Sequence, residues 1–173
     1  MAISLYDASV VSFLQTLGGV SGFLDRGLSH FQDTGLDPQE VVDTRLFEDM
    51  LPFWFQVISV AHHSAGAIKG VREGAFSPYM GAPPYSYADL QKTIADAIAD
   101  LKSLDPAEVN ALEGKDVIFK LGERVMPFTA EGFLLSFSLP NLHFHATTAY
   151  DILRMKAVPL GKRDYMGMPR IKR

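Results

Sequence analysis

Two histidines lie close together in the stretch Leu139–Arg154, and what their imidazoles could do is the first chemical question this sequence raises. Helical neighbours are three or four residues apart, so a helix here places His145 in a row with Ser138, Leu142 and Ala149. His143 lies about 200° away around the axis, because each residue turns a helix by about 100°. The two imidazoles therefore cannot bind one metal ion from this helix, and His145 is the one expected to face the interior.

His145 has two interpretations. A buried imidazole needs a hydrogen-bond partner, so His145 could be a core residue bonded to a hydroxyl or carbonyl group. Histidine is also the commonest metal ligand and titrates near neutral pH, so His145 could be a ligand or an acid/base residue. Asn141, four residues earlier on the same face, and Thr148 are expected to close the polar site around it.

A second pair, His62 and His63, falls in an earlier helical segment. The row Leu51, Phe55, Ile58, His62 and Ala65 predicts that His62 lies near the inner face, with His63 about 100° further round. Considered alone, each imidazole is better explained as a ring that is hydrogen-bonded within the protein or exposed to solvent than as a metal ligand. As a pair they favour one ring nitrogen facing the interior.

Between the helical segments, residues 74–86 form a loop rich in turn-forming residues and aromatic side chains. It is either a plain connection or a cover over the mouth of a pocket, since long ordered loops are often lids. Under the second interpretation, Tyr79 and Tyr85 line the pocket.

Four apolar-periodic segments dominate the chain and must position these side chains. They begin near Leu5, Glu48, Ser86 and Thr129, and the first and last run to about Phe31 and Arg154. Alternating residues at 117–121 and 125–128, separated by Gly122 and Glu123, predict a small β-hairpin before the last helix. The sequence predicts a single all-α domain over residues 1–173, an up-and-down four-helix bundle with one hairpin.

The amino-acid composition of the chain argues against several classes of function. The chain has no cysteine, which excludes disulfides and thiol nucleophiles and favours a cytoplasmic location. No apolar stretch of about 20 residues is free of charge or proline, so we expect no membrane span. A net charge of −4 argues against nucleic-acid binding. The segment 162–173 carries +4 and leaves −8 on the remainder, so this basic tail is expected to dock on the body or on a partner subunit.

The last 35 or so residues also carry a family resemblance. The run Pro140-Asn-Leu-His-Phe-His-Ala-Thr-Thr-Ala-Tyr-Asp-Ile-Leu-Arg154, followed by Gly161-Lys-Arg-Asp-Tyr-Met-Gly167, resembles an uncharacterised bacterial family of the DinB/YfiT-like superfamily of metalloenzymes. The resemblance implies an up-and-down four-helix bundle that is commonly a homodimer. It also implies a divalent metal held by three histidines from helix two and the last helix, which some members use for thiol-dependent reactions.

Carried over residue by residue, the resemblance implies an incomplete metal site. The superfamily pairs histidines at i and i+4 on the last helix; His145 matches the second, but Asn141 stands at the first. The helix-two ligand is His62 or, less well, His63. Asparagine is a poor zinc ligand. Two hypotheses follow: a small-molecule-binding or structural bundle with a degenerate metal site, or an enzyme of the thiol-dependent transferase or hydrolase type that uses zinc or nickel.

Overall fold

Helices make up most of the computed structural model, which describes residues 3–172; Met1, Ala2 and Arg173, the last of them part of the basic tail, lie outside the described residues. The first half contains α1 (Leu5–Ala8), α2 (Val10–Thr34), α3 (Pro38–Val42), α4 (Phe53–Ala61), a first π turn (His62–Gly66), α5 (Ala67–Glu73) and β1 (Ala75–Phe76). The second half contains α6 (Tyr87–Lys102), α7 (Pro106–Asn110), β2 (Asp116–Leu121), β3 (Arg124–Thr129), α8 (Ala130–Gly132), a second π turn (Phe133–Ser138), α9 (Leu139–Met155) and α10 (Lys162–Met166). No helix among the described residues is long and apolar enough to cross a membrane.

Capping residues set several helix starts where the sequence predicted them. The Ser86 hydroxyl accepts a hydrogen bond from the Asp89 amide, and the Asp89 carboxylate accepts one from the Ser86 amide, so α6 begins with a reciprocal capping box. Thr129 caps α8 by accepting from the Gly132 amide. These caps satisfy amide groups that have no partner within the helix.

The continuity of the first long helix and the start of the second were predicted wrongly. The first long helix is not continuous from Leu5, because Ser9 separates α1 from α2 with φ −106° and ψ −76° and donates its hydroxyl to the Leu5 carbonyl at 2.6 Å. The second begins at Phe53 rather than near Glu48, because Pro52 has the extended ψ of 170° that ends the preceding loop.

Two π turns interrupt the long helical segments, and the sequence did not predict either. A π turn holds one residue more than an α turn, so the faces before and after it are out of register by one residue. The first contains His62 and His63, and the second directly precedes the helix that carries His145. Both disruptions therefore fall beside the predicted site.

The small sheet has three strands in the order β1–β2–β3. β2 and β3 form the predicted hairpin, with Asp116 paired to Thr129 and Leu121 to Arg124. β1, which the sequence did not predict, adds a parallel edge in which Phe76 pairs with Phe119. This edge fixes the chain just after α5 and brings the Phe76 ring to the histidines.

The four long segments share one apolar core. α2 packs on α6 and α9, and α4 packs on the same two helices. The first long segment therefore does not pack mainly on the second, whereas consecutive helices in a simple up-and-down bundle pack on each other. α4 is buried almost all round, including Phe53, Trp54 and residues 56–60. Its periodicity therefore did not single out one inner face.

The C-terminal helix α10 docks on α2, as the sequence led us to expect for the tail. The contact is not made by the basic charges, however: Asp164 pairs with Arg26 at 2.5 Å, and Gln15 donates to the Met166 carbonyl at 3.0 Å. Gly19 permits the close approach, because a Cβ there would collide with the Tyr165 carbonyl oxygen. The tail is held by backbone proximity and by its one acidic residue.

Candidate functional site

Three histidines from two helical segments meet in what we call the histidine cluster: His62, His63 and His145. The ring centroids of His62 and His63 are 5.5 Å apart, and those of His63 and His145 are 5.8 Å apart with nearly parallel planes. α4 and α9 pack side by side, and the first π turn, which begins with His62 and His63, contacts α9. The structure thus brings together three of the predicted site residues.

His63 is the most buried member, with 9% of its surface exposed. Its Nδ1 atom is buried and has no hydrogen-bond partner among the described residues. Burial, followed by the nearby His62 and His145 rings, lowers the pKa of His63 to about 3. His63 is therefore neutral at pH 7, and His63 rather than His62 occupies the deepest position.

Hydrogen bonding defines the tautomer of His145. The Gln56 amide nitrogen donates to the Leu51 carbonyl at 2.7 Å, which turns its oxygen toward His145 Nδ1, also at 2.7 Å. Because an amide oxygen only accepts, His145 carries its proton on Nδ1 and has a lone pair on Nε2. Burial, then the nearby His62, lowers the pKa of His145 to about 4. The ring is thus a neutral acceptor at Nε2.

His62 has the opposite tautomer. Its Nε2 lies 2.8 Å from the Ser77 carbonyl oxygen, so the proton is on Nε2 and the lone pair on Nδ1. The Nδ1 atom is directed toward Gly66, where an added Cβ would lie 3.3 Å away. The His62 ring also stacks on Phe76 with a centroid distance of 4.3 Å. Burial lowers the pKa of His62, and the bond to Ser77 partly opposes that shift.

Aromatic rings surround the cluster on several sides. Phe76 and Phe137 lie 5.5 and 5.8 Å from the His63 ring centroid, and Phe55 and Phe144 lie 5.9 and 5.3 Å from that of His145. Phe137 belongs to the second π turn, so both π turns contribute to this region. These rings remove water from the imidazoles, which is why the neutral form is favoured.

The two predicted partners on α9 use their polar atoms elsewhere. The Asn141 amide nitrogen donates to the Phe137 carbonyl at 2.8 Å, and the Thr148 hydroxyl donates to the Phe144 carbonyl at 2.8 Å. Both bonds return to their own helix. Ser138, in contrast, has a buried hydroxyl oxygen with no partner among residues 3–172.

The donor set does not fit a three-histidine metal centre. Within residues 3–172, no three or more His, Asp or Glu side chains are placed to hold one metal ion together. His62 directs its free nitrogen at Gly66, and the Asn141 amide is engaged with Phe137. The chemistry that remains is that of two neutral imidazoles, His63 and His145, each with a nitrogen that has no hydrogen-bond partner in the described part of the chain.

His62 also lines a cavity of about 340 Å³ between α4 and α6, which we call the tyrosine cavity. Its floor is apolar and its rim is polar. The lining comprises Ile58, Ala61, His62, Ala65, Gly66, Tyr79, Tyr85, Thr93, Asp96, Ala97 and Asp100. The loop that carries the two tyrosines thus contributes part of the lining; the sequence had left open whether it is a plain connection or a cover.

A hydrogen bond between the Tyr79 and Tyr85 hydroxyls holds that wall together. It raises the pKa of Tyr85 to about 12, so this phenol is neutral at pH 7. Trp54 packs against Tyr85 with a ring distance of 5.3 Å, and Gln39 donates to the Tyr85 carbonyl at 2.9 Å. The loop is therefore anchored to α3 and α4.

Sequence reasoning placed Phe55 on the inner face with His62 but missed Gln56, Phe76, Phe137 and Phe144. Gln56 is a buried polar residue seven positions before His63, which is two helical turns. A polar residue on an otherwise apolar helix was the available signal. Phe76 and Phe137 had no such signal, because their approach depends on β1 and on the second π turn.

Comparison with known proteins gives three results. Residues 5–166 match the family model described as a domain of unknown function, DUF1993. No curated protein matches the chain. A crystal structure of a DinB family member protein from Shewanella denitrificans is similar, with 25% identity, a TM-score of 0.77, and coverage of 98% of this chain and 95% of that chain. The chain therefore belongs to the DUF1993 family, with a fold similar to that of a DinB family member.

Proposed function

We propose that this protein is a DinB-like four-helix bundle that binds a small organic molecule in the tyrosine cavity, beside a degenerate metal site. The four-helix arrangement is supported by the packing of α2 and α4 on both α6 and α9. α6 and α9 then each separate the first long segment from the second. The cavity lies on the α4–α6 side and the histidine cluster on the α4–α9 side.

The observation that carries the proposal is the lining of the tyrosine cavity. Binding sites for small molecules are concave and mostly apolar, with a few placed polar groups. Ile58, Ala61 and Ala65 give the apolar floor, and the Tyr79 and Tyr85 hydroxyls give polar groups on one wall. His62 belongs to both the cavity lining and the histidine cluster, and its ring lies 6.1 Å from that of Tyr79.

The degenerate metal site is supported by the position of Asn141. The resemblance places a histidine ligand there, and this chain has an amide whose nitrogen faces the Phe137 carbonyl. An amide nitrogen has no lone pair available to a metal, so Asn141 could offer only its oxygen, which is a poorer zinc donor than an imidazole. The histidines are then structural neighbours of the binding site.

Filling the cavity tests the proposal. In a fragment screen by ligand-observed NMR, we expect Ala61→Phe to abolish the binding of hits, because the new ring occupies the floor. Ala99→Phe, an equal substitution on the exposed side of α6, is the matched control and should retain binding. Equal binding to both variants would overturn the assignment of the site, as would a screen without hits.

A metal-dependent enzyme of the thiol-dependent transferase or hydrolase type is the second candidate function. It is favoured by the neutral pair His63 and His145, whose rings are 5.8 Å apart and whose free nitrogens suit zinc or nickel. Elemental analysis of protein purified without a histidine tag separates the candidates. About one zinc or nickel per chain supports the enzyme, and a trace amount supports the degenerate site.

We also propose a homodimer. Apolar side chains on the outside of the molecule support it, since Phe47 and Phe144 are 65% and 56% exposed, and symmetric dimers are the commonest soluble oligomers. Light scattering over a hundredfold concentration range should give twice the chain mass. A constant mass of one chain would contradict the dimer.

A further inference from the structure

We propose that the tyrosine cavity selects an organic cation, namely an amine with a compact apolar or aryl body. The inference rests on the proposed binding function and adds the chemical class of the ligand. Its support is the charges, rings and hydrogen bonds around the cavity.

The charged groups that line the cavity are both acidic. Asp96 and Asp100 project from α6 into its rim, one helical turn apart, and no lysine or arginine is among the lining residues. Asp96 is paired with Lys92 at 2.6 Å. Asp100 has no ion pair in the part of the chain that the structure describes, so its carboxylate is the charge open to a ligand.

Two basic residues lie nearby but are already paired. Lys69 and Arg72 line a neighbouring cavity together with Asp100. Lys69 lies 3.9 Å from Glu73 and Arg72 lies 3.0 Å from Glu108, so each has a carboxylate of its own. The Asp100 charge is therefore not consumed by these neighbours.

The aromatic groups suit a cation as well. Tyr79, Tyr85 and His62 line one side of the cavity, and a ring face attracts an ammonium group within about 6 Å of the centroid. Ile58, Ala61 and Ala65 provide an apolar surface that matches a hydrocarbon body. An amine with a short apolar body meets both surfaces.

An anion would find few donors in the cavity. The Nε2 proton of His62 is committed to the Ser77 carbonyl, and Thr93 donates its hydroxyl to the Asp89 carbonyl at 2.8 Å. The Tyr79 and Tyr85 hydroxyls are bonded to each other. That bond uses one of the two phenolic protons, so one hydroxyl donor remains beside the phenol oxygens and the Asp100 carboxylate. The excess of acceptors and the negative charge favour an ammonium group over a carboxylate or phosphate.

Three probes of similar shape test the charge preference: phenethylamine, the neutral 2-phenylethanol and the anionic 3-phenylpropionate. Affinities are measured by isothermal titration calorimetry or NMR titration at low ionic strength, where charge effects are least screened. We expect phenethylamine to bind at least about tenfold more tightly than the alcohol, and the carboxylate to bind most weakly. Asp100→Asn should reduce the amine's advantage severalfold.

Asp33→Asn is the matched control, because Asp33 is also an exposed acid in the last turn of a long helix and does not line the cavity. It should leave the preference unchanged. Equal affinities for the amine and the alcohol, or a preference unaffected by Asp100→Asn, would overturn the cation inference and leave the binding function standing. Binding of none of the three probes would overturn both.

Discussion

His143 and His145 are two residues apart on α9, yet their surroundings differ in almost every respect. His145 is stacked against His63, bonded to the buried Gln56 and enclosed by Phe55 and Phe144. His143 is exposed, with its Nδ1 3.3 Å from the Tyr165 hydroxyl of α10. The helical turn of about 100° per residue sends one ring to the interior and the other to the C-terminal contact.

The difference shows what a histidine contributes in each place. In the interior, removal of water keeps the ring neutral, and each nitrogen without a partner is a cost to stability. At the C-terminal contact, the His143 ring meets the Tyr165 phenol, which also accepts a hydrogen bond from Thr147 at 3.1 Å. If the His143 ring is removed, the phenol therefore keeps a hydrogen-bond partner. The predictions below separate these two settings.

Acidification should have the largest effect, and it acts on the interior histidines. The folded pKa values of about 3 for His63 and about 4 for His145 lie below the unfolded value of 6.5, so the unfolded chain binds more protons between pH 6.5 and 4. The stability they contribute is present above pH 6.5 and is lost as pH falls through that window, by about 3 kcal/mol per histidine. Urea denaturation at successive pH values measures it.

His63→Leu is the control for the acid effect, since it keeps the volume and removes one titrating ring. The pH dependence between 6.5 and 4.5 should become shallower in this variant. A wild-type stability that does not change over that interval would contradict the neutral assignment of the cluster.

His145→Ala should have the next largest effect. The substitution removes a ring packed between His63 and two phenylalanines and leaves the Gln56 amide oxygen without its donor. We expect the free energy of unfolding at pH 7 to fall by roughly 2–3 kcal/mol, from cavity and hydrogen-bond losses together. Chemical denaturation tests it, and a loss below about 0.5 kcal/mol would show that the interior contacts are weak.

Gly19→Ala probes the C-terminal contact through its backbone. The new Cβ would collide with the Tyr165 carbonyl, so we expect a loss of about 1–2 kcal/mol despite the better helix propensity of alanine. Gly18→Ala is the matched control: no atom lies within 4 Å of the added Cβ, and the change should stabilise α2 by up to about 1 kcal/mol. If both variants gained stability in thermal denaturation, the close docking of α10 would be wrong.

His143→Ala should have the smallest effect, below about 1 kcal/mol, because the ring is exposed and its one partner retains Thr147. The same denaturation experiment compares it directly with His145→Ala. A loss as large as that of His145→Ala would remove the distinction between the two settings.

The sequence predicted those features of the molecule whose causes lie within a few residues of them. The caps at Ser86 and Thr129 and the hairpin turn at Gly122 depend on residues a few positions apart, and the structure has all three. The outward position of His143 followed from helical geometry alone. These features need no knowledge of the neighbouring chain segments.

The site was less predictable because its causes are not local. Which of His62 and His63 lies deeper depends on the π turn that contains them, and no short sequence motif predicts a π turn. The preceding helix α4 is also buried almost all round, so its sequence does not indicate one inner face. The Phe76 wall depends on a parallel pairing with β2 more than 40 residues away in the chain. Asn141 was identified from the sequence as the departure from the superfamily's ligand set, but the direction of its amide was not.

The central claim is that the histidine cluster consists of neutral imidazoles, with His62 and His145 in opposite tautomers. The proposed degenerate site adds that these rings do not bind a metal. Long-range ¹H–¹⁵N correlation spectra of imidazole-labelled protein at pH 7, with and without one equivalent of zinc, test it most directly. The account predicts a proton on Nδ1 of His145 and on Nε2 of His62, with both sets of signals unchanged by zinc. Protonated imidazolium rings in the cluster, or ring nitrogens of His63 and His145 that shift together on adding zinc, would contradict it.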